Sequence, residues 1–324
     1  MSEETNAEEG EELLLSIILP AFNEEGAVGN TVLGIQDLNL PSSEILVIDD
    51  GSSDATARVA EAAGARVISH PYNIGNGASV KTGIRSAHGR VLVFLDADGQ
   101  HDPKDILRLV QHITKYHMVV GARTRDSDSS WHRYIANSFY NTFASFISDF
   151  NIKDLTSGFR AMRREDAIRF CDMFPNTFSY PTTSTLAFIR SGRSIRYVPI
   201  RVKRRIGTSK IKIFKDGFEF CLIILKIAMT FSPFRVFLPV SSFLFFLGLG
   251  RYAYTYAMFH RFTNMADLLL NSSVIIFMLG LIAEQIAALR FERGDRLFRI
   301  EDRERYKIFE EIGKTASHED ASIQ

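Results

Sequence analysis

The sequence predicts an α/β domain built on a mostly parallel sheet with helices on both faces. An amphipathic segment and a hairpin of two membrane-spanning helices are expected after it. Three observations carry this expectation. Short unbroken apolar runs alternate with helix-length stretches from residue 13 to residue 123, the pattern of strands buried on both faces. Two uncharged apolar stretches, 236–250 and 268–283, come late in the chain. Basic residues crowd the outer flanks of that pair and are sparse in its connection.

The elements follow in order. The first twelve residues hold six glutamates, Glu3, Glu4, Glu8, Glu9, Glu11 and Glu12, and little apolar surface, so 1–12 is expected to be a disordered acidic tail. The catalytic-size domain is expected over 13–215. Its first strand is "LLLSIIL" at 13–19, stopped by Pro20, with a helix over about 25–38. "EILVIDD" at 44–50 predicts a second strand and 54–63, with its alanine-rich face, a second helix. "ARVIS" at 65–69 and a helix over 76–88 come next. "RVLVFLD" at 90–96, a helix over 104–115 and the strand "HMVVGAR" at 117–123 complete the series. Ligands of such sheets bind at the carboxyl ends of the strands. Here those ends read "PAFNEE", "DDGSSD" and "DADGQH".

Residues 216–234 contain "FEFCLIILKIAMTF" (218–231), which predicts an amphipathic helix lying on a membrane surface. Residues 235–290 are expected to form the two spanning helices. Each needs about 20 mostly apolar residues and reaches that length only by including Arg251 or Glu284. Arg251 can snorkel or face the partner helix, and Tyr252, Tyr254 and Tyr256 suit an interface belt. The alternative is a buried helical hairpin in a soluble domain. The flanks weigh against it: Lys226 and Arg235 precede the pair, and Arg290, Arg293, Arg296 and Arg299 follow it. The connection 260–267 has only Arg261 and Asp267. That asymmetry predicts an integral membrane protein with the α/β domain and both termini cytoplasmic, 291–324 being a charged cytoplasmic tail. Two cysteines, Cys171 and Cys221, make no disulfide framework and no thiolate metal cluster, which fits a reducing compartment. No charged-then-apolar leader is read at the start. Net charge is zero, so bulk charge names no partner. No nucleic-acid partner is expected, and a homo-oligomer is left open.

The acidic end "FLDADGQHDP" (94–103) carries the sharpest chemistry. In an extended strand residues i and i+2 share a face, so Asp96 and Asp98 could address one object. Two close carboxylates either share a proton or hold a cation. Hard oxygen ligands suit Mg²⁺ or Mn²⁺, which keep waters and take other ligands from phosphates. Gln100 offers a carbonyl oxygen, and His101 is less suited to a hard ion. A solvated turn capping the helix near Pro103 is the bland alternative. "NIGNGASVKTG" (73–83) has Gly75, Gly77 and Gly83, which let backbone approach a ligand at a helix start or merely form a tight turn. Asp54 reads as a helix cap. Residues 190–215 hold ten Lys or Arg and no acid, enough to neutralise phosphates or to rest on anionic headgroups.

Taken in order, "SIILPAFNEE", "VIDDGSSDAT", "NIGNGASVKTG" and "FLDADGQHDP" resemble the nucleotide-sugar half of the family 2 inverting glycosyltransferases. "GAR" (121–123), "KDLTSGFRAMRR" (153–164), "YVPIRVKRRIGTSK" (197–210) and "FSPFRVF" (231–237) bring the resemblance to the polyprenyl-phosphate hexose synthases. These include the dolichyl-phosphate mannose and glucose synthases and bacterial polyprenyl-phosphate glucosyltransferases. The resemblance implies a GT-A, Rossmann-like fold. It implies that Pro20, Ala21, Asn23, Glu24, Asp49 and Asp50 line the nucleotide pocket, with Gly77, Lys81 and Ala97 also on the donor. Asp96, Asp98 and Gln100 would bind Mg²⁺ or Mn²⁺. Arg123, Arg133 and Ser157 would meet the acceptor phosphate, with Gly158 and Arg160 nearby. Arg205, Ser209 and Lys210 would belong to a loop over the donor phosphates. The catalytic set so implied is Asp96, Asp98, Arg123, Arg133 and Arg205.

Two departures matter. Relatives that build sugar–sugar bonds carry an acidic pair where this chain has "YPTTSTLAFIRSG" (180–192), with Thr182 and Thr183. The Q-x-x-R-W element is also missing, Trp131 being the only tryptophan. A hydroxyl acceptor needs a base, whereas a phosphate monoester, with a second pKa of about 6, is already mostly dianionic. Asn76 stands where many relatives have Lys or Arg, and Lys81 is the nearest substitute. The expected activity moves a hexose from a nucleoside diphosphate sugar to polyprenyl phosphate in a membrane. UDP-glucose is favoured by the short two-helix tail, and GDP-mannose comes next. A glycosyltransferase acting on a sugar or lipid hydroxyl, and a non-catalytic membrane-tethered nucleotide-sugar-binding protein, are the alternatives.

Overall fold

A computed structural model describes residues 13–124, 140–146, 148–176, 180–202, 225, 228–295 and 309, with backbone alone for 290–295. The acidic tail, most of the 216–234 segment and all of 296–324 except Phe309 lie outside the described residues. The chain divides into two compact units. One holds a sheet and its helices together with Phe309. The other holds Thr142–Asn151 and two long helices.

The sheet unit runs β1 (Leu15–Ala21), α1 (Val28–Gln36), β2 (Ser43–Asp49), α2 (Thr56–Ala62), β3 (Arg66–Ser69), α3 (Asn76–Ser86), β4 (Val91–Phe94), α4 (Asp105–Val110) and β5 (Met118–Arg123). It continues with β6 (Arg160–Arg163), α5 (Arg164–Phe170), α6 (Tyr180–Arg190) and β7 (Ile195–Ile200). The sheet order is β3-β2-β1-β4-β6-β5-β7. The β1–β2, β1–β4, β2–β3 and β5–β7 pairs are parallel, and β6 runs antiparallel between β4 and β5. The α/β expectation holds, and all five expected strands are present. The sheet gains β6 and β7. The "RAMR" of β6 hides its strand character because two of four residues are arginines, yet Arg160 and Arg163 are buried.

The core explains the order of elements. Ile17, Ile18, Leu19, Leu46, Val47, Ile48 and the β4 residues Val91–Phe94 are fully buried. Each such large apolar side chain contributes about 1.5–3 kcal/mol on burial. α1 turns Val28, Thr31, Val32 and Ile35 inward, the spacing of one helical face. Phe309, far along the chain, is also fully buried in this core.

The central ladder stops where the polar residues begin. Leu95 N–H donates to Ile18 O at 3.1 Å, so the even-numbered residues of β1 present their backbone groups to β4. Pro20 is next in that series and has no N–H to give. β1 pairs with β2 as far as Ala21–Asp49 but with β4 only as far as Ile18–Phe94. β4 itself ends two residues short of Asp96, which corrects the placement of Asp96 and Asp98 on one strand face. A turn places them instead, with Gly99 at φ +71° and Gln100 N–H bonded to Asp98 Oδ1 at 3.1 Å. Gly51, also at φ +71°, lies so close to the next loop that a Cβ there would sit 2.5 Å from the Tyr72 carbonyl carbon. Only glycine fits.

The second unit contains α7 (Phe234–Phe259) and α8 (Asn264–Asp295), which pack together as a hairpin. Both are long and apolar enough to cross a membrane. Most of their side chains are exposed, among them Phe243, Phe246, Leu268 and Leu289, unlike a hairpin enclosed in a soluble core. Close approach comes from two glycines: a Cβ at Gly280 would lie 2.7 Å from Phe237 Cβ, and one at Gly248 would lie 3.0 Å from Leu269 Cβ. Ser241, Ser273 and Thr255 return their hydroxyls to carbonyls of their own helices at 2.8–3.0 Å, so these three donors are satisfied in an apolar setting. Glu284 has a reason to interrupt the apolar run. Its Oε2 accepts the Phe234 N–H at 3.2 Å, a cap on the first turn of α7 supplied by the other helix.

Replacing Glu284 with Ala is therefore expected to lower hairpin stability by about 1 kcal/mol, measured as a fall in Tm of the protein in a bilayer mimic. Glu284→Gln, which keeps an acceptor oxygen, is expected to retain part of that stability. Equal Tm values for wild type and the Ala variant would contradict the capping role.

Candidate active site

Polar residues converge where β1 and β4 part, the switch point of the sheet. Asp96 and Asp98 are half-buried, and Ala97 between them is buried. Gly158 stands against Asp96: a Cβ there would come within 3.1 Å of Asp96 Oδ2 and 3.4 Å of the Tyr180 hydroxyl. Tyr180 O–H donates to Gly158 O at 3.1 Å. The turn before β6 is thus fitted to the acidic turn after β4, and a larger residue than glycine would crowd the carboxylate.

Behind that contact lies a cluster of arginines and acids. Arg123, at the end of β5, grips Asp154 with Nε–Oδ2 at 2.8 Å and Nη2–Oδ1 at 2.9 Å, and reaches Thr156 Oγ1 at 2.5 Å. Asp154 also accepts the N–H groups of Arg123, Thr156 and Ser157 at 3.1–3.2 Å. Burial pushes the Asp154 carboxyl up, but Arg123 and these donors hold it below its ordinary value. Ser157 is buried, and its hydroxyl has no partner. Arg160 is wholly buried; its guanidinium donates to Ser157 O, to Pro181 O at 2.9 Å and to Ser184 Oγ at 2.7 Å. It ties the turn at 157–158 to the first turn of α6. His101 packs on Phe159 with ring centroids 5.0 Å apart, and its Nδ1 is buried without a partner. Burial pulls its pKa down from the ordinary value, against the charge of Asp98.

The first two loops hold one another. Asn23 Oδ1 accepts the Ser53 N–H at 2.9 Å, Asn23 N–H donates to Ser52 Oγ at 2.9 Å, and Glu24 N–H to Thr56 Oγ1 at 2.8 Å. Asp49 is buried and accepts the Ser52 N–H at 3.2 Å. Asp50 is buried too and receives donors from the loop before α3. Asp54 accepts from Thr56 and Glu25, the structural role expected of it. Pro20 and Ala21 are buried at the end of β1, Gly77 is buried in α3, and Lys81 bonds to the Asn176 side chain. Arg133, Arg205, Ser209 and Lys210 lie outside the described residues.

Chemically, Asp96, Asp98 and Gln100 bring three hard-oxygen side chains into the turn that follows β4. No three His, Cys, Asp or Glu side chains form a metal cage among the described residues. Two carboxylates and an amide suit Mg²⁺ or Mn²⁺ that completes its shell from water and phosphate oxygens. α6 carries Thr182 and Thr183, both buried, and no acid along Tyr180–Arg190, so that helix supplies no general base. Sequence reasoning missed Asp154, Tyr180, His70 and Asn176. Asp154 stood inside a quoted motif, where an acid three residues before Ser157 could have suggested a partner for a nearby arginine. Nothing local marks Tyr180, since its meaning depends on β6 reaching it.

Comparison with known proteins agrees with this geometry. Residues 16–170 match the family model "Glycosyl transferase family 2", and 232–289 match "GtrB C-terminal hairpin". An undecaprenyl-phosphate mannosyltransferase of Micrococcus luteus is 30% identical over 60% of this chain and 86% of its own. An undecaprenyl-phosphate 4-deoxy-4-formamido-L-arabinose transferase of Proteus mirabilis is 28% identical over 70% of this chain and 71% of its own. Among solved structures, glucosyl-3-phosphoglycerate synthase of Mycobacterium tuberculosis with Mn²⁺, UDP and glucosyl-3-phosphoglycerate superposes with a TM-score of 0.53 at 21% identity. That match covers 65% of this chain and 77% of the other, and it shows a shared fold.

The Asp154–Arg123 pair sets a pH-dependent stability. Because the folded Asp154 pKa is depressed, its contribution is complete above the unfolded value of about 4 and is lost as pH falls through the folded value. Asp154→Asn is expected to destabilise by about 2–3 kcal/mol near pH 7. The Tm gap to wild type should narrow below about pH 4. A gap constant from pH 7 to pH 3 would contradict the pairing.

Proposed function

From the premise that this chain is a family 2 glycosyltransferase, we propose that it transfers a hexose from a nucleoside diphosphate sugar to a polyprenyl phosphate in the membrane. The observation that carries the acceptor class is the acid-free helix α6 beside Asp96. With no carboxylate there to deprotonate a hydroxyl, an acceptor that arrives as an anion is favoured. The partnerless Ser157 hydroxyl, and Arg123 with its side chain 33% exposed, are the acceptor-phosphate contacts within the described residues. Arg133 joins them by resemblance. The names of the relatives from Micrococcus luteus and Proteus mirabilis support a polyprenyl-phosphate acceptor and differ in the sugar. UDP-glucose is the donor proposed first, and GDP-mannose second.

The chain's residues position and neutralise. Asn23, Glu24, Asp49, Gly77 and Lys81 surround the donor, and Arg205 and Lys210 join its phosphate contacts by resemblance alone. Asp96, Asp98 and Gln100 would hold Mg²⁺ or Mn²⁺, which supplies charge stabilisation for the departing diphosphate. An acceptor phosphate oxygen forms the new bond to the anomeric carbon as the bond to the diphosphate oxygen breaks. The electron pair leaves with the nucleoside diphosphate, and configuration inverts. Orientation alone can supply up to roughly 7–11 kcal/mol in favourable cases.

The hairpin would cross the bilayer and return. The flanking arginines support placing both hairpin ends on the cytoplasmic side.

Asp98→Ala is expected to remain folded by circular dichroism and to lose at least about a hundredfold in transfer rate. The assay offers purified protein UDP-glucose or GDP-mannose with polyprenyl phosphate and Mg²⁺, and follows an acid-labile glycolipid. Near-normal turnover of the variant would remove Asp98 from the mechanism. Transfer to a glycan or lipid hydroxyl, and none to polyprenyl phosphate, would overturn the acceptor.

A further inference from the structure

The side chain of Asp50 is 4% exposed, and its acceptor capacity is largely used inside the protein. Oδ1 takes the His70 Nδ1–H at 2.7 Å and the Ile74 N–H at 3.0 Å, and Oδ2 takes the Gly75 N–H at 2.8 Å. A carboxylate offers about four lone-pair sites, and three are filled here. The His70 side chain is 9% exposed, and its Nε2 lies 2.9 Å from Thr82 Oγ1 on α3. With Nδ1 facing the carboxylate, Nε2 and the threonine hydroxyl form the second bond of the ring. Asp50 N–H also donates to Ala21 O at 2.9 Å, and His70 N–H to Asp49 O at 2.8 Å. One buried pair therefore connects the ends of β1 and β2 to the loop and helix that follow β3.

The side chains of that loop turn mostly to solvent. Tyr72 and Ile74 are exposed, and Gly75, at φ +121°, opens α3 immediately before Asn76 and Gly77. Its backbone is pinned from beneath by Asp50, and Gly51 lets the Tyr72–Asn73 backbone press close.

We propose that Asp50 and His70 act as a positioning pair, holding the Asn73–Gly77 turn and the start of α3 against the donor, and that Asp50 does this without touching the nucleotide. The inference rests on the donor placement given under Proposed function. It departs from the family expectation that Asp50 itself meets base or ribose, because its oxygens already serve two backbone amides and a ring nitrogen.

The test measures UDP and GDP binding by calorimetry with Mg²⁺, and steady-state kinetics, for full-length wild type, Asp50→Asn, His70→Ala, His70→Asn, Thr82→Val and the double variant Asp50→Asn/His70→Ala. His70→Ala and Asp50→Asn are each expected to weaken nucleotide binding about tenfold, as loss of charge-assisted hydrogen bonds of this kind does. KM for polyprenyl phosphate should stay unchanged. The double variant should be no worse than either single one. His70→Asn places an amide N–H where the ring Nδ1–H stood and should recover most of the affinity. Thr82→Val should show a smaller loss in the same direction, and it keeps the test readable if His70→Ala fails to fold. Hydrogen exchange at Ile74 and Gly75 should quicken in step with the affinity loss. Asp50→Asn harmful with His70→Ala silent would make Asp50 a direct ligand and overturn the proposal. Equal losses for donor and acceptor would reduce the pair to general stability and overturn it as well. If wild type binds neither nucleotide, the donor reading fails first, and the positioning role with it.

Discussion

The structure depends on one interrupted ladder. Parallel strands β1 and β4 pair through Ile18 and Phe94, and then Pro20 offers no donor and the strands part. Below that point the strands pair in register and the buried side chains are mostly apolar, with Ser16 bonded to Glu44. Above it the chain must satisfy its polar groups with loops, side chains or ligand. The acidic turn at 96–98, the latched loops at 23–25 and 52–56, and the turn at 154–158 all gather at the same opening. A sheet continuing two residues further would have closed it.

Charge at that opening is balanced by placement. Asp96 and Asp98 would be hard to keep ionised side by side. Nearby stand Arg123, committed to Asp154, and Arg160, whose hydrogen bonds among the described residues go to uncharged acceptors. A buried guanidinium without a bonded carboxylate is expensive in isolation. Burial pulls the Arg160 pKa down, while the fields of Asp154 and Asp96 oppose that pull. The cation thus offsets the acids at a distance while its N–H groups fix the turn at 157–158. This is the kind of rigid electrostatic frame that favours transfer between two anions, because little has to reorganise as charge moves to the leaving group.

The hairpin obeys a different solvent but the same accounting. The hydroxyls of Ser241, Thr255 and Ser273 bond within their helices, two glycines let the helices touch, and Glu284 caps the partner helix. Each feature that looks wrong in an apolar sequence removes an unsatisfied backbone group or a steric barrier. Phe309 then returns to the core of the sheet unit, so the chain re-enters the domain it left before the hairpin.

The strands β1 to β5, the helices between them and the two long apolar helices were legible from periodicity and length, because burial on both faces or in lipid leaves runs that no loop would carry. The ordered motifs, down to Asp96 and Asp98, were legible as well, since they sit at strand ends in register with the sequence. Other features were not. Strand β6 is written in arginines whose burial depends on carbonyl and hydroxyl acceptors brought from elsewhere in the chain. Asp50 reads as a ligand in sequence and emerges as an internal acceptor, because His70, Ile74 and Gly75 reach it only after β2 and β3 pair. The cap on α7 comes from a residue fifty positions away. Sequence by itself determined which segments become strands and helices and where polar chemistry collects, since those depend on neighbours along the chain. Only the tertiary structure decided which polar groups are spent holding the frame, since that depends on contacts between residues distant in sequence.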